Sequence, residues 1–257
     1  MKIVKLISVF CEGSSFLGNI AAVIELEKAI ETKEMQAIAR DLNQPATTFI
    51  IPEKNGEKYI RWFAPDAEIP LCGHGLAAAV AYYIELGQKM VSFNYSKGKV
   101  SGKSFRDGFE INIKKGSYLK EETPNGLEEY LGADIIEHYS STDKNIVLLK
   151  DEKTLKELKP NFSALAKLKP FGYAVTAPSD HVDFVSRTLV PKVQQLEDHA
   201  TGSSHTVLVP FWAEKLGKNQ LKTYQLSPRG GAFNCLVNDN EVILRGNYKE
   251  IVIGTII

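Results

Sequence analysis

A chain of 257 residues can bury a sizeable core, either as one large domain or as two of ordinary size. Its 31 Lys and Arg balance 31 Asp and Glu, which excludes the strong mean field that would draw it to nucleic acid or anionic lipid and leaves a small ligand held by local groups as the expected partner. The three cysteines, Cys11, Cys72 and Cys235, show neither CxxC spacing nor a Cys/His cluster, so a reducing compartment and no structural metal are expected.

In chain order, β-branched and aromatic runs predict strands at 3–10, 20–24, 47–51, 59–63, 91–95 and 109–113. The first run opens the chain with no basic leader and cleavage site, and no apolar run is long enough to span a bilayer, so a cytoplasmic protein without membrane contact is expected. A helix over 33–42 carries Met35, Ile38, Ala39 and Leu42 on one face, with Thr32 as its expected N-cap. A second helix, 74–86, is apolar on every side and belongs inside the fold. Lysine-rich, turn-rich sequence over 114–126 separates two halves, which places domains at 1–117 and 118–257. Amphipathic helices follow at 152–158 and 161–168, then strands at 172–176, 182–187, 221–226, 233–237 and 241–244. Another wholly apolar helix begins near Ser203, and Pro210 should kink it.

The halves repeat each other. Arg61 and Pro65, then Cys72-Gly73-His74-Gly75, an apolar helix, Leu86-Gly87, a strand and Ser96 come in the same order as Arg187 and Pro191, Thr201-Gly202-Ser203-Ser204, an apolar helix, Leu216-Gly217, a strand and Ser227. The interval is 126 residues between the arginines, 130 between the helix-ending glycines and 131 between the serines. Such a repeat implies two similar domains, each with a buried helix opening on a glycine turn. A helix start offers unpaired N–H groups and the positive end of the backbone dipole, and glycine lets a ligand approach closely. Two such starts acting on one carboxylate would stabilise the charge that develops when an adjacent C–H is deprotonated.

The segments Gly18-Asn19-Ile20-Ala21-Ala22-Val23, Met35-Gln36-Ala37-Ile38-Ala39, Ile60-Arg61-Trp62-Phe63-Ala64-Pro65, Pro70-Leu71-Cys72-Gly73-His74-Gly75, Glu197-Asp198-His199-Ala200-Thr201-Gly202-Ser203 and Gln225-Leu226-Ser227-Pro228-Arg229-Gly230-Gly231 resemble the PhzF-like (phenazine-biosynthesis-like) isomerase family. The resemblance implies the diaminopimelate epimerase fold: an α+β chain of two pseudo-repeated domains, each a curled sheet around a central helix, with the active site between them. It also implies homodimers, no metal and no cofactor. The best-known member isomerises a dihydro-hydroxyanthranilate by moving a proton between ring carbons.

Carried over residue by residue, the resemblance puts the active-site histidine at His74 and its acidic partner at Asp198. The backbone donor beside the histidine falls at Gly73, and the anion-binding turn at Thr201, Gly202 and Ser203, with Asn19 and Gly75 counted among the substrate-binding residues. The segment Asn43-Gln44-Pro45-Ala46-Thr47-Thr48-Phe49 departs from the family pattern, because the general-base glutamate is replaced by Ala46, which cannot accept a proton. Smaller departures are Ile20 and His199 where the family usually has proline. The leading expectation is therefore a cofactor-independent isomerase for a small anionic substrate. The alternatives are a non-catalytic member that binds a small acid or a protein, and a one-thiol racemase or epimerase using Cys72. In the bland alternative Cys72 is a buried, inert thiol.

Overall fold

The computed structural model describes residues 2–54 and 56–256. The chain forms two compact units, one of Met1–Ile113 with Ile243–Ile257 and one of Lys114–Val242.

In the first unit β1 (Lys2–Cys11) and β2 (Asn19–Glu25) form an antiparallel hairpin with Val9 opposite Asn19. The amphipathic α1 (Thr32–Leu42) crosses to β3 (Ala46–Pro52), which lies parallel to β2, and β4 (Lys58–Phe63) returns antiparallel. After the two-residue β5 (Glu68–Ile69), α2 (Gly73–Glu85) crosses to β6 (Met90–Tyr95), parallel to β4, and a meander follows through β7 (Gly98–Phe105) and β8 (Gly108–Lys114). α2 is buried on all sides because β1, β2, β3, β6 and β7 pack around it. The outer face of the sheet is covered by α1 through Met35 and Ala39, against Ala22, Ile24, Phe49 and Phe63.

The second unit repeats the succession. β9 (Tyr118–Glu121) leads through α3 (Leu127–Leu131) to β10 (Glu137–Ser141), which forms a hairpin with β11 (Asn145–Leu148). α4 (Glu152–Glu157) and α5 (Phe162–Leu165) cross to β12 (Tyr173–Ala177), parallel to β11, and β13 (Phe184–Leu189) returns antiparallel. After β14 (Glu197–Asp198), α6 (Gly202–Leu216) crosses to β15 (Gln220–Gln225), parallel to β13, and β16 (Gly231–Val237) closes the meander. β12 is buried along its whole length, as a strand covered on both faces must be. Tyr173, Val175 and Ala177 face α3, α4 and α5, while Thr176 accepts a hydrogen bond from Trp212 Nε1 of α6.

β17 (Glu241–Ile256) then returns to the first unit, where it pairs with β1 from Lys2↔Ile256 to Cys11↔Asn247 and also with β8. The expected boundary after residue 117 assigned this strand to the second half. The observed division differs because the partners of its long C-terminal part lie in β1. The architecture is α+β, two units that each wrap a curled sheet around one buried helix. One local expectation differs as well. Glu31, not Thr32, occupies the N-cap of α1, and Thr32 Oγ1 instead accepts from Arg61. Pro210 lies inside the helical span of α6. No helix among the described residues is long and apolar enough to cross a membrane.

Candidate functional site

In the first unit the extended conformation of Cys72 (φ −124°, ψ 107°) starts α2, and its Sγ accepts the Gly75 N–H at 3.3 Å. The same sulfur lies 3.4 Å from His74 Nδ1, so the thiol caps the helix and steadies the imidazole. His74 is buried in the first turn. Gly75 is held by packing: a Cβ there would lie 2.5 Å from Trp62 Cδ1 and 2.9 Å from Thr48 Oγ1. Asn19 opens β2 and Ala46 opens β3, both fully buried on strands that pack around α2. Gly18 shapes the turn before Asn19. Its φ is +69° and a Cβ would lie 2.2 Å from Val9 O, so only glycine fits.

In the second unit Thr201 has nearly the same extended conformation (φ −112°, ψ 96°) at the start of α6, but its side chain makes no capping bond to the helix. Its hydroxyl donates instead to Asp198 Oδ2 at 2.8 Å. Gln225 of β15 locks the arrangement: its Oε1 accepts from Thr201 N at 2.8 Å and its Nε2 donates to Asp198 O. Gly202 and Ser203 follow as the first two helical residues, so the first-turn amides of α6 have no side-chain cap from Thr201. Ser203 Oγ accepts from Lys144 Nζ at 3.0 Å. Behind this turn Ser227 Oγ donates to His199 O at 2.7 Å.

Burial lowers the pKa of three histidines of the second unit. His205 donates from Nδ1 to Thr201 O at 2.8 Å and stacks on Phe233 at 3.9 Å, and burial pushes its pKa down to about 4. Burial also lowers His199, against a smaller opposing pull from Asp198. Burial likewise lowers His138. Among the described residues no cluster of three or more His, Cys, Asp or Glu side chains is placed to hold a metal ion.

The structure thus gathers Asp198, Thr201, Gly202 and Ser203 at one helix start, and Gly73, His74 and Gly75 at the other. Each start belongs to a different unit. Sequence reasoning gave no role to two residues that complete the second group. Gln225 stood in a matching segment but without a signal for its bonds. Lys144 sits in a hairpin turn 59 residues before its partner.

Comparison with known proteins adds an independent result. The family described as phenazine biosynthesis-like protein matches residues 7–248. An uncharacterized isomerase of Pseudomonas aeruginosa is 35% identical over 249 residues, covering 95% of this chain and 94% of that protein. The crystal structure of a PhzF family protein from Enterococcus faecalis superposes with a TM-score of 0.91 at 35% identity, covering 98% of each chain. A probable proline racemase from Agrobacterium radiobacter shares the fold alone, with a TM-score of 0.66 at 10% identity over 100% of this chain and 93% of its own.

Proposed function

Because the chain belongs to the phenazine biosynthesis-like family, some of whose similar members are named isomerases, we propose that it moves a proton at a carbon next to a carboxylate or carbonyl of a small acid, without a cofactor. In this reading both helix starts serve one substrate. Gly73, Gly202 and Ser203 hold the anion with Asn19, Gly75 and Thr201 around it, and His74 and Asp198 carry the proton. With Ala46 in place of the family's glutamate, Asp198 takes the proton from carbon and His74 returns one at the second position. The observation that carries the reading is the Thr201 hydroxyl. It turns from the helix to Asp198, which orients the carboxylate and leaves the first-turn amides of α6 without its cap. Backbone donors aimed at a developing negative charge are the usual means of stabilising an enolate-like state.

A panel of small acids incubated with the protein in deuterium oxide tests this by NMR. Exchange at carbon is expected, with a loss of about 100-fold or more in His74→Ala and in Asp198→Asn. Absence of exchange with any acid that binds rejects catalysis. The buried Ala46 supports a second reading, a member that binds a small acid without turnover. There the parent is silent and Ala46→Glu creates exchange. A third, the one-thiol racemase, ends if Cys72→Ala keeps full activity. A cytoplasmic homodimer belongs to the same proposal. The three free cysteines fit a reducing compartment, and the exposed Ile3, Ile251, Val252 and Ile253 on the paired β1 and β17 are apolar surface for a second copy to cover.

A further inference from the structure

Lys144 lies in the β10–β11 turn with its side chain only 6% exposed. The turn is fixed by Ser141, whose Oγ donates to Lys144 O at 2.6 Å and accepts from Asp143 N at 3.2 Å. The lysine stem passes Gly172, where a Cβ would lie 3.4 Å from Lys144 Cγ. Its Nζ donates to Asp143 Oδ2 at 2.7 Å and to Ser203 Oγ at 3.0 Å. Buried lysines are rare because desolvating an ammonium is costly, and Asp143 alone would satisfy a structural pairing. The second bond reaches the first turn of α6.

The internal repeat gives this position meaning. Asn145, which follows Lys144 and opens β11, stands 126 residues after Asn19, which opens β2, the same interval as from Arg61 to Arg187. The β1–β2 turn delivers Asn19 among the strands around α2, and the corresponding turn of the second unit delivers Lys144 to α6. An ammonium only donates. With an Oγ lone pair occupied by Lys144, the Ser203 hydroxyl proton is left to be donated to another acceptor.

We infer that Lys144 is a positioning residue for the anion at the start of α6. It holds Ser203 as a hydrogen-bond donor and adds a buried positive charge that commits the site to a carboxylate-bearing ligand. The inference rests on the proposed function, which places an anion there. Asp143 attenuates the charge, so weakening that pair strengthens the field at Ser203.

Titration of the full chain with benzoate, followed by the Ser203 amide resonance, tests it. Lys144→Met is expected to weaken binding about 10-fold and Lys144→Arg to restore most of it, while Asp143→Asn tightens it a few-fold. In a Ser203→Ala background the effect of Lys144→Met should shrink to about threefold, because only the field of the charge remains once the hydroxyl is missing. Multiplying losses in the double variant, or unchanged affinity in both Lys144→Met and Asp143→Asn, would overturn the inference and leave the proposed function standing. If Lys144→Met fails to fold, Asp143→Asn alone decides, tightening for and no change against. A parent that binds no benzoate at Ser203 contradicts the anion site itself, and the inference falls with it.

Discussion

Gly75 and His205 show how little room the two central helices leave. A methyl group at Gly75 would meet Trp62 and Thr48 at distances no real contact tolerates, so Gly75→Ala should destabilise the first unit by about 2 kcal/mol in urea titrations. His205 is buried and its Nε2 has no hydrogen-bond partner among the described residues. Its folded pKa, pushed down to about 4, lies below the value near 6.5 of an unfolded histidine. Between these values the unfolded chain binds the extra proton. Stability is therefore fully present above about pH 6.5 and is lost as pH falls toward 4, by roughly 3 kcal/mol from this one group. His205→Phe, which keeps the stack on Phe233, should flatten that part of the pH–stability curve, and an unchanged slope would contradict the assignment. At this scale the sequence was only partly legible. The two glycine-opened helix starts were legible in the motifs, whereas the capping bond of Cys72, the turn of the Thr201 hydroxyl and the reach of Lys144 depend on tertiary contacts that no local pattern encodes.

At the scale of elements, the repeat arginines turn out to be staples. Arg61 grips Glu68 of β5 with two hydrogen bonds and reaches Thr32 of α1. Arg187 grips Glu197 of β14 in the same way and reaches the carbonyls of Leu155 and Leu158 at α4. Each ties the strand pair before a buried helix to the outer helix that covers the sheet. The second pair is the drier, with side chains 12% and 13% exposed against 21% and 43% for the first. Arg187→Ala should therefore cost about 3 kcal/mol, because it strands a half-buried carboxylate. Arg61→Ala should cost nearer 1 kcal/mol, and equal losses in urea titrations would contradict this ordering. The apolar helices and alternating strands were legible because burial imposes period and composition. β7 was not, since Gly98-Lys99-Val100-Ser101-Gly102-Lys103 carries almost no apolar signal and is held by its neighbours β6 and β8. The extent of β17 was also hidden, because residues past Gly246 are largely exposed and paired rather than packed.

At the scale of the whole molecule, the duplication that the repeated sequence markers suggested is a duplication of topology: hairpin, covering helix, parallel strand, return strand, buried helix, meander. What the markers could not convey was that the last strand rejoins the first unit, since pairing partners 236 to 254 residues apart leave no local trace. Two copies of one unit supply two glycine-opened helix starts with different chemistry, an imidazole with a thiol at α2 and a carboxylate with a buried ammonium at α6. The proposed function needs both starts on one acid. The most direct test follows the backbone amides of Gly73, Gly202 and Ser203 by NMR while benzoate is added to the intact protein. If one carboxylate-bearing ligand engages both helices, all three resonances move with a single dissociation constant and a 1:1 stoichiometry. Movement at only one helix start, or two distinct affinities, would contradict it.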